Sequence, residues 1–285
     1  MNPPSSGLLA QIACVMEVTA RKPGNVHRFR DFDDATYLDF LLSAAAIAAP
    51  MDEARSLGVG RTVLASVEAT RRVISTNTNL GMILLLAPLA VAYESGGDLA
   101  SSVANVLDVL TVDDARFAYQ AIRLARPGSL GRSDEEDVAD EPTISLRDAM
   151  RLAADRDLVA RQYANGYADV FGLALPALRS VLIDGRSLED AIIHAYLTVL
   201  ARHPDTLILR KRGPLLAAEA SRLAADALTT GSVDTLDAFL RSDRHALNPG
   251  ATADLICAAL FAALADGTMA LPRPSGPEGW SFISV

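Results

Sequence analysis

Leu80-Gly-Met-Ile-Leu-Leu-Leu-Ala-Pro-Leu-Ala-Val-Ala-Tyr93 is the stretch on which the fold turns. It is apolar along its whole length, yet it holds Gly81 and Pro88 and falls short of the roughly 20 residues that span a bilayer. A run of this kind, with no alternation of polar and apolar residues, predicts a helix buried among other helices. No membrane span is expected.

Working outward, the same helical spacing returns on both sides. Leu8, Leu9, Ile12, Val15, Met16 and Thr19 form one apolar face, which stops at Lys22-Pro23-Gly24, where Pro23 disfavours helical geometry in the residue before it. A second helix is predicted over 33–49, closed by Pro50, and further helices over 61–74, 78–94, 98–109, 112–125, 145–163, 168–183, 188–202, 214–229, 232–241 and 251–265. Thr111 with Asp114, and Ser187 with Asp190, have the spacing of N-caps followed by an acidic residue. No segment alternates as a strand would, so the expectation is an all-α protein, one compact multi-helix domain over 1–285. Arg126 to Pro142, with its acidic run from Asp134 to Asp137, and the tail from Leu271 read as loops; the first is either a lid or a solvated surface loop.

Half of the 285 residues are hydrophobic and only 5% aromatic, so the core must be built from Ala, Leu, Val and Ile, which suits closely packed helices. The net charge of −9 argues against a sequence-independent nucleic-acid binder, which needs a broad basic surface. Cys14 and Cys257 lack the spacing of a zinc or redox motif and read as buried reduced thiols. With no secretory signal at the start, a cytoplasmic protein is expected.

Four polar segments abut these apolar helices. In Glu17 through Arg28, Glu17 falls within or beside a buried face and needs a partner, whether a catalytic role or an ion pair with Arg21. Lys22, His27 and Arg28 are candidate phosphate or proton-transfer groups, or ordinary partners of a helix C-terminus. Ser75 to Gly81 places Asn77, Thr78 and Asn79 ahead of a helix whose free N–H groups suit an anion, with Gly81 allowing close approach; plain capping is the alternative. His203 to Gly213 carries Asp205 and the cations Arg210, Lys211 and Arg212, a phosphate clamp or a solvated helix end. Asn248 to Asp254, with Gly250, opens the last helix, where the dipole alone would account for Asp254.

Glu17 with Lys22-Pro23-Gly24, Asn77-Thr78 with Gly81, Asp205-Thr206 with Gly213, and Pro249-Gly250 with Ala253-Asp254-Leu255, in this order, resemble the triphosphoribosyl-dephospho-CoA synthase family from about Ala13 to Leu264. The resemblance implies an all-helical enzyme that moves the triphosphoribosyl group of ATP onto a hydroxyl of dephospho-CoA and releases adenine. ATP is then the expected substrate, Mg²⁺ the expected ion, and the partners are small-molecule nucleotides and cofactor precursors. It implies Glu17 and Asp205 as catalytic groups with Asp254 beside them; the residue types themselves add His27 as a proton-transfer group and Asp205 with Asp254 as metal ligands. Lys22, Gly24, Arg28, Asn77, Thr78, Asn79, Gly81, Arg210, Asn248 and Gly250 would hold the nucleotide. The chain departs from the lyase-associated pattern at Asn25-Val26-His27, Asn79-Leu80, Leu207, Asn248 and Ala251, which bears on the acceptor. A Mg²⁺-dependent helical hydrolase and a non-catalytic helical binding module are the alternatives, and an exposed apolar helix face would leave room for a homodimer.

Overall fold

The computed structural model describes residues 3–126 and 136–269, together with the backbone at 273–274 and 280–281. The chain is all-helical. Helices α1 (Ser6–Thr19), α2 (Tyr37–Ala46), α3 (Ala48–Asp52), α4 (Ala54–Leu57), α5 (Val59–Val73), α6 (Leu80–Ser95), α7 (Leu99–Asp108) and α8 (Val112–Ala125) form the first half. They are followed by α9 (Leu146–Ala153), α10 (Leu158–Asn165), a π-helical turn at Val170–Ala174, α11 (Leu175–Ile183), α12 (Leu188–Arg202), α13 (Thr206–Arg212), α14 (Pro214–Thr230), α15 (Asp234–Leu240) and α16 (Gly250–Ala265). Beyond these, β1 (Arg273–Pro274) and β2 (Trp280–Ser281) pair as two-residue antiparallel strands. Among the described residues no single helix is long and apolar enough to cross a membrane.

Two helices that are apolar on every face, α6 and α16, lie at the centre and pack on each other and on α1. Their Ala-rich surfaces let the backbones approach closely. Pro88 lies inside α6, where it cannot donate to Leu84 O, and a ring in mid-helix also crowds the preceding turn. Two buried tyrosines close the gap: Tyr163 Oη donates to Leu84 O at 2.6 Å and Tyr167 Oη to Leu85 O at 2.9 Å. The donor that the proline removes is therefore replaced by Tyr163 of α10, and Tyr167 adds a second donor one carbonyl further on.

Several expected boundaries hold. Thr111 makes a capping box with Asp114, and the Ser187 side chain accepts from Asp190 N at 3.1 Å. Others move for identifiable reasons. The helix expected over 33–49 begins at Tyr37, because Thr36 and Asp39 form a capping box there, and it breaks into α3 and α4, with Pro50 inside α3 and not at its end. The helix expected over 145–163 divides between α9 and α10, because the Asp157 carboxylate accepts from Val159 N and Ala160 N and starts a new helix. Residues 206–212, which lie between the helices expected over 188–202 and 214–229, form α13, capped by Asp205. Cys14 on α1 and Cys257 on α16 are buried free thiols, as expected, with their sulfurs 3.5 Å apart.

Candidate active site

The starts of α6 and α16, the end of α1 with the turn after it, α13 and the facing surfaces of α8, α9 and α10 enclose a cavity of about 710 Å³. That is the size of ordinary small-molecule sites. All four polar segments reach it: Glu17 and Asn25 from the first, the whole of Ser75 to Gly81 from the second, Leu207, Arg210 and Lys211 from the third, and Asn248, Gly250, Ala251 and Asp254 from the fourth. The opposite wall is apolar, with Ile122, Leu146, Met150 and Val159 among its residues.

Glu17 is 2% exposed, and its partner is Lys22, not Arg21: Nζ lies 2.9 Å from Oε1, while the Lys22 side chain is fully buried. The Pro23-Gly24 turn folds Lys22 back under the C-terminus of α1, so its ammonium also donates to the Glu17 and Ala20 carbonyls. Burial pushes the Glu17 carboxyl above the ordinary range, and the Lys22 ammonium opposes that shift. Arg21 instead meets Glu189 on α12 at 3.0 Å.

Asp254 is a further carboxylate of the cavity, which Asp34, Glu136, Asp137 and Asp157 also line. It projects from the second turn of α16 against the first turn of α6, so close that a Cβ at Gly81 would stand 1.9 Å from its Oδ2. No hydrogen bond from a described residue reaches it. Burial, then the carboxylates of Glu17, Asp205 and Asp157, push its pKa well above the usual value, with Arg210 opposing them.

The second segment is held rigidly. Asn77 Oδ1 accepts from Leu80 N at 3.2 Å, Thr78 Oγ1 meets Ser43 Oγ at 2.5 Å, and Asn79 Nδ2 donates to Thr70 Oγ1 at 3.2 Å. These contacts aim the amino end of α6, with its free N–H groups, into the cavity. Asn25 and Asn248 meet there too: Asn248 Nδ2 donates to Asn25 Oδ1 at 3.1 Å, and Asn25 Nδ2 donates to Tyr196 Oη at 2.9 Å.

Several expected site residues stand elsewhere. Asp205 is fully buried and does not line the cavity; it caps α13 through Leu207 N and Ile208 N and accepts from Thr252 N and Oγ1 at 2.7 and 2.8 Å. Both of its oxygens are thus engaged by four donors from the starts of α13 and α16 and are turned away from the cavity. Among the described residues no three His, Cys, Asp or Glu side chains gather to hold a metal ion, and of the two expected ligands Asp254 lines the cavity while Asp205 does not. Lys22 is committed to Glu17 and lies outside the cavity lining, which removes it as a phosphate contact. Arg28 pairs with Glu189 at 2.9 Å and donates to Thr19 O, again away from the cavity. His27 also lies off the lining; burial, Arg241 and Lys22 push its pKa down to about 4, and Nδ1 accepts from Phe29 N at 3.2 Å. Gly24 serves the turn itself: φ is +74° and its N–H donates to Asp237 Oδ1 at 2.8 Å.

Arg210 does line the cavity, but its guanidinium pairs with Asp157 at 2.5 Å. The neighbouring Lys211 faces the same space, and no ion pair among the described residues engages it. Burial pulls its pKa down and Asp34 partly restores it. A feature missed in the sequence is the stack of Phe32 on His245, ring centres 5.2 Å apart, at the cavity edge; nothing in the chain links those two distant loop residues. From the loop after α8, residues 136–138 line the cavity, whereas 127–135, including Asp134 and Glu135, lie outside the described residues.

The comparisons with known proteins bear on the fold and the family. A crystal structure from Archaeoglobus fulgidus, whose assignment as a triphosphoribosyl-dephospho-CoA synthase is itself provisional, superposes with a TM-score of 0.65 at 29% identity, over 80% of this chain and 99% of that one. No curated protein matches the sequence. The family model for ATP:dephospho-CoA triphosphoribosyl transferase (CitG) matches residues 4–272, nearly the whole chain. This is a family of transferases, which sets aside the reading of a non-catalytic binding module. The chain belongs to the ATP:dephospho-CoA triphosphoribosyl transferase family.

Proposed function

We propose that the cavity binds ATP, breaks the bond between its ribose C1′ and adenine, and joins the ribose triphosphate to a hydroxyl of dephospho-CoA or a related cofactor precursor. The observation that carries this reading is the convergence of Glu17, the amino end of α6, and the cations Arg210 and Lys211 on one small-molecule cavity. Breaking the glycosidic bond builds positive charge on the sugar, and a fixed carboxylate beside it stabilises that charge. Glu17 suits this task. Protonating it would deprive a fully buried ammonium of its carboxylate, so Lys22 opposes the upward push of burial and favours the anion.

The phosphates would meet Lys211, Arg210 and the free N–H groups of the first turn of α6. A lysine held at the cavity without a carboxylate partner is more available to an anion than Arg210, which must share its charge with Asp157. Asn77, Thr78 and Asn79 are the polar groups nearest that helix end, and Asn248 with Gly250 forms the facing lip.

The test is incubation with ATP and dephospho-CoA, followed by mass spectrometry for free adenine and for an acceptor heavier by one ribose triphosphate unit. Adenine accompanied by free ribose triphosphate would assign a hydrolase instead. Absence of adenine with any acceptor would overturn the reading.

A further inference from the structure

Two carboxylates face the cavity from adjacent central helices, and their surroundings differ in kind. Glu17 Oε1 is tied to an ammonium that also holds two backbone carbonyls. Asp254 has no hydrogen-bond donor among the described residues and stands over the first turn of α6. Paired carboxylates whose environments diverge take different roles in a reaction.

We propose that Asp254 is the general base that takes the proton from the attacking hydroxyl, a role resting on the transfer reaction proposed above. The C1′–N9 bond breaks with its electron pair going to adenine, the acceptor oxygen bonds to C1′, and the hydroxyl proton passes to an Asp254 oxygen. Adenine takes up one proton from solvent as it leaves, and Asp254 returns one, so the step balances without an oxidant or reductant. Glu17 cannot do this without stranding Lys22, and Asp205 has no free oxygen to receive a proton. The charged groups around Asp254 favour the assignment: Glu17 from α1, Asp157 ahead of α10 and Asp205 ahead of α13 all make it more basic, and Arg210 from α13 opposes them. Its Oδ2 also lies beside Gly81, among the polar residues that open α6, where a substrate hydroxyl would be oriented.

The experiment compares Asp254→Asn with the wild type for adenine release from ATP, in the presence of dephospho-CoA and with water as the only acceptor. Turnover should fall by roughly 10²–10⁴, the usual worth of an acid–base group. ATP-induced thermal stabilisation should stay near that of the wild type, and the acid-side fall in the wild-type rate should disappear from the residual activity. The variant should fold at least as well as the wild type, because it removes one of several mutually repelling carboxylates. An active wild type with Asp254→Asn within ten-fold of it, or a slow variant that keeps the acid-side fall, overturns the assignment while the transfer reading stands. A wild type that releases no adenine under either condition overturns both.

Discussion

Gly81→Ala separates the two things that a glycine in the first turn of α6 does. By helix propensity the change should help, since Ala is favoured over Gly by about 1 kcal/mol in a helix. By geometry it collides with Asp254, because the new Cβ would lie 1.9 Å from Oδ2, 2.5 Å from Cγ and 3.0 Å from Oδ1. Ordinary contact begins near 3.4 Å, so the carboxylate must retreat by about 1.5 Å. It can, because no hydrogen bond from a described residue anchors it, and a rotamer change of that kind costs on the order of 0.5–1.5 kcal/mol. The two stability terms nearly cancel, leaving the fold within about 1 kcal/mol of the wild type. Catalysis has no such compensation: misplacing a reacting group by about 1 Å costs roughly 10²-fold in rate. The expected outcome is an unchanged urea midpoint and a fall of about 10²-fold in adenine release, carried by kcat and not by the KM for ATP. In an Asp254→Asn background the same change should add little, since the group it displaces is already disabled. Full turnover in Gly81→Ala, or additive losses in the double variant, would refute the reasoning.

Three further outcomes follow from other contacts. Tyr163→Phe leaves Leu84 O without a donor in the core and should cost about 1–3 kcal/mol in urea unfolding, whereas in a Pro88→Ala background, where the helix can supply its own N–H, the cost should shrink; equal costs in both would sever the link between the tyrosine and the proline. Burial pushes the Glu189 carboxyl up, but hydrogen bonds from Arg28 and Arg21 outweigh it and hold the pKa down at about 2. Its folded value lies below the unfolded one, so its stabilising effect is complete above about pH 4.5 and is lost as the pH falls toward 2; Glu189→Gln should flatten the acid side of the stability curve over that window, and an unchanged slope would count against the pair. Chelation with EDTA should leave the melting temperature of the ligand-free protein unchanged, since no three His, Cys, Asp or Glu side chains gather among the described residues; a clear drop would show a resident metal.

How far the molecule could be read in advance depended on whether a residue acts within its own helix or across to another. Apolar periodicity placed the helices, because burial of one face is a local pattern, and the polar segments ahead of α6 and α16 were legible because helix starts expose N–H groups whatever lies opposite. Asp205 and Asp254 show where that logic stops. Both are acidic residues near a helix start, and both invite the same reading as ligands. Asp205 occupies the N-cap itself, so its carboxylate turns back onto Leu207 N and Ile208 N and then meets Thr252. Asp254 sits four residues into α16, past the unpaired N–H groups, so it has no local use and reaches outward to α6. The choice between Arg21 and Lys22 as partner of Glu17 was hidden for the same reason. The i, i+4 rule favours Arg21 on a continuing helix, but α1 ends at Thr19, and the turn that follows sends Arg21 out to Glu189 and folds Lys22 inward. A side chain's position relative to the last or first helical residue therefore decides whether its charge is spent on its own backbone or offered to the cavity. That offset of one or two residues is finer than periodicity can resolve.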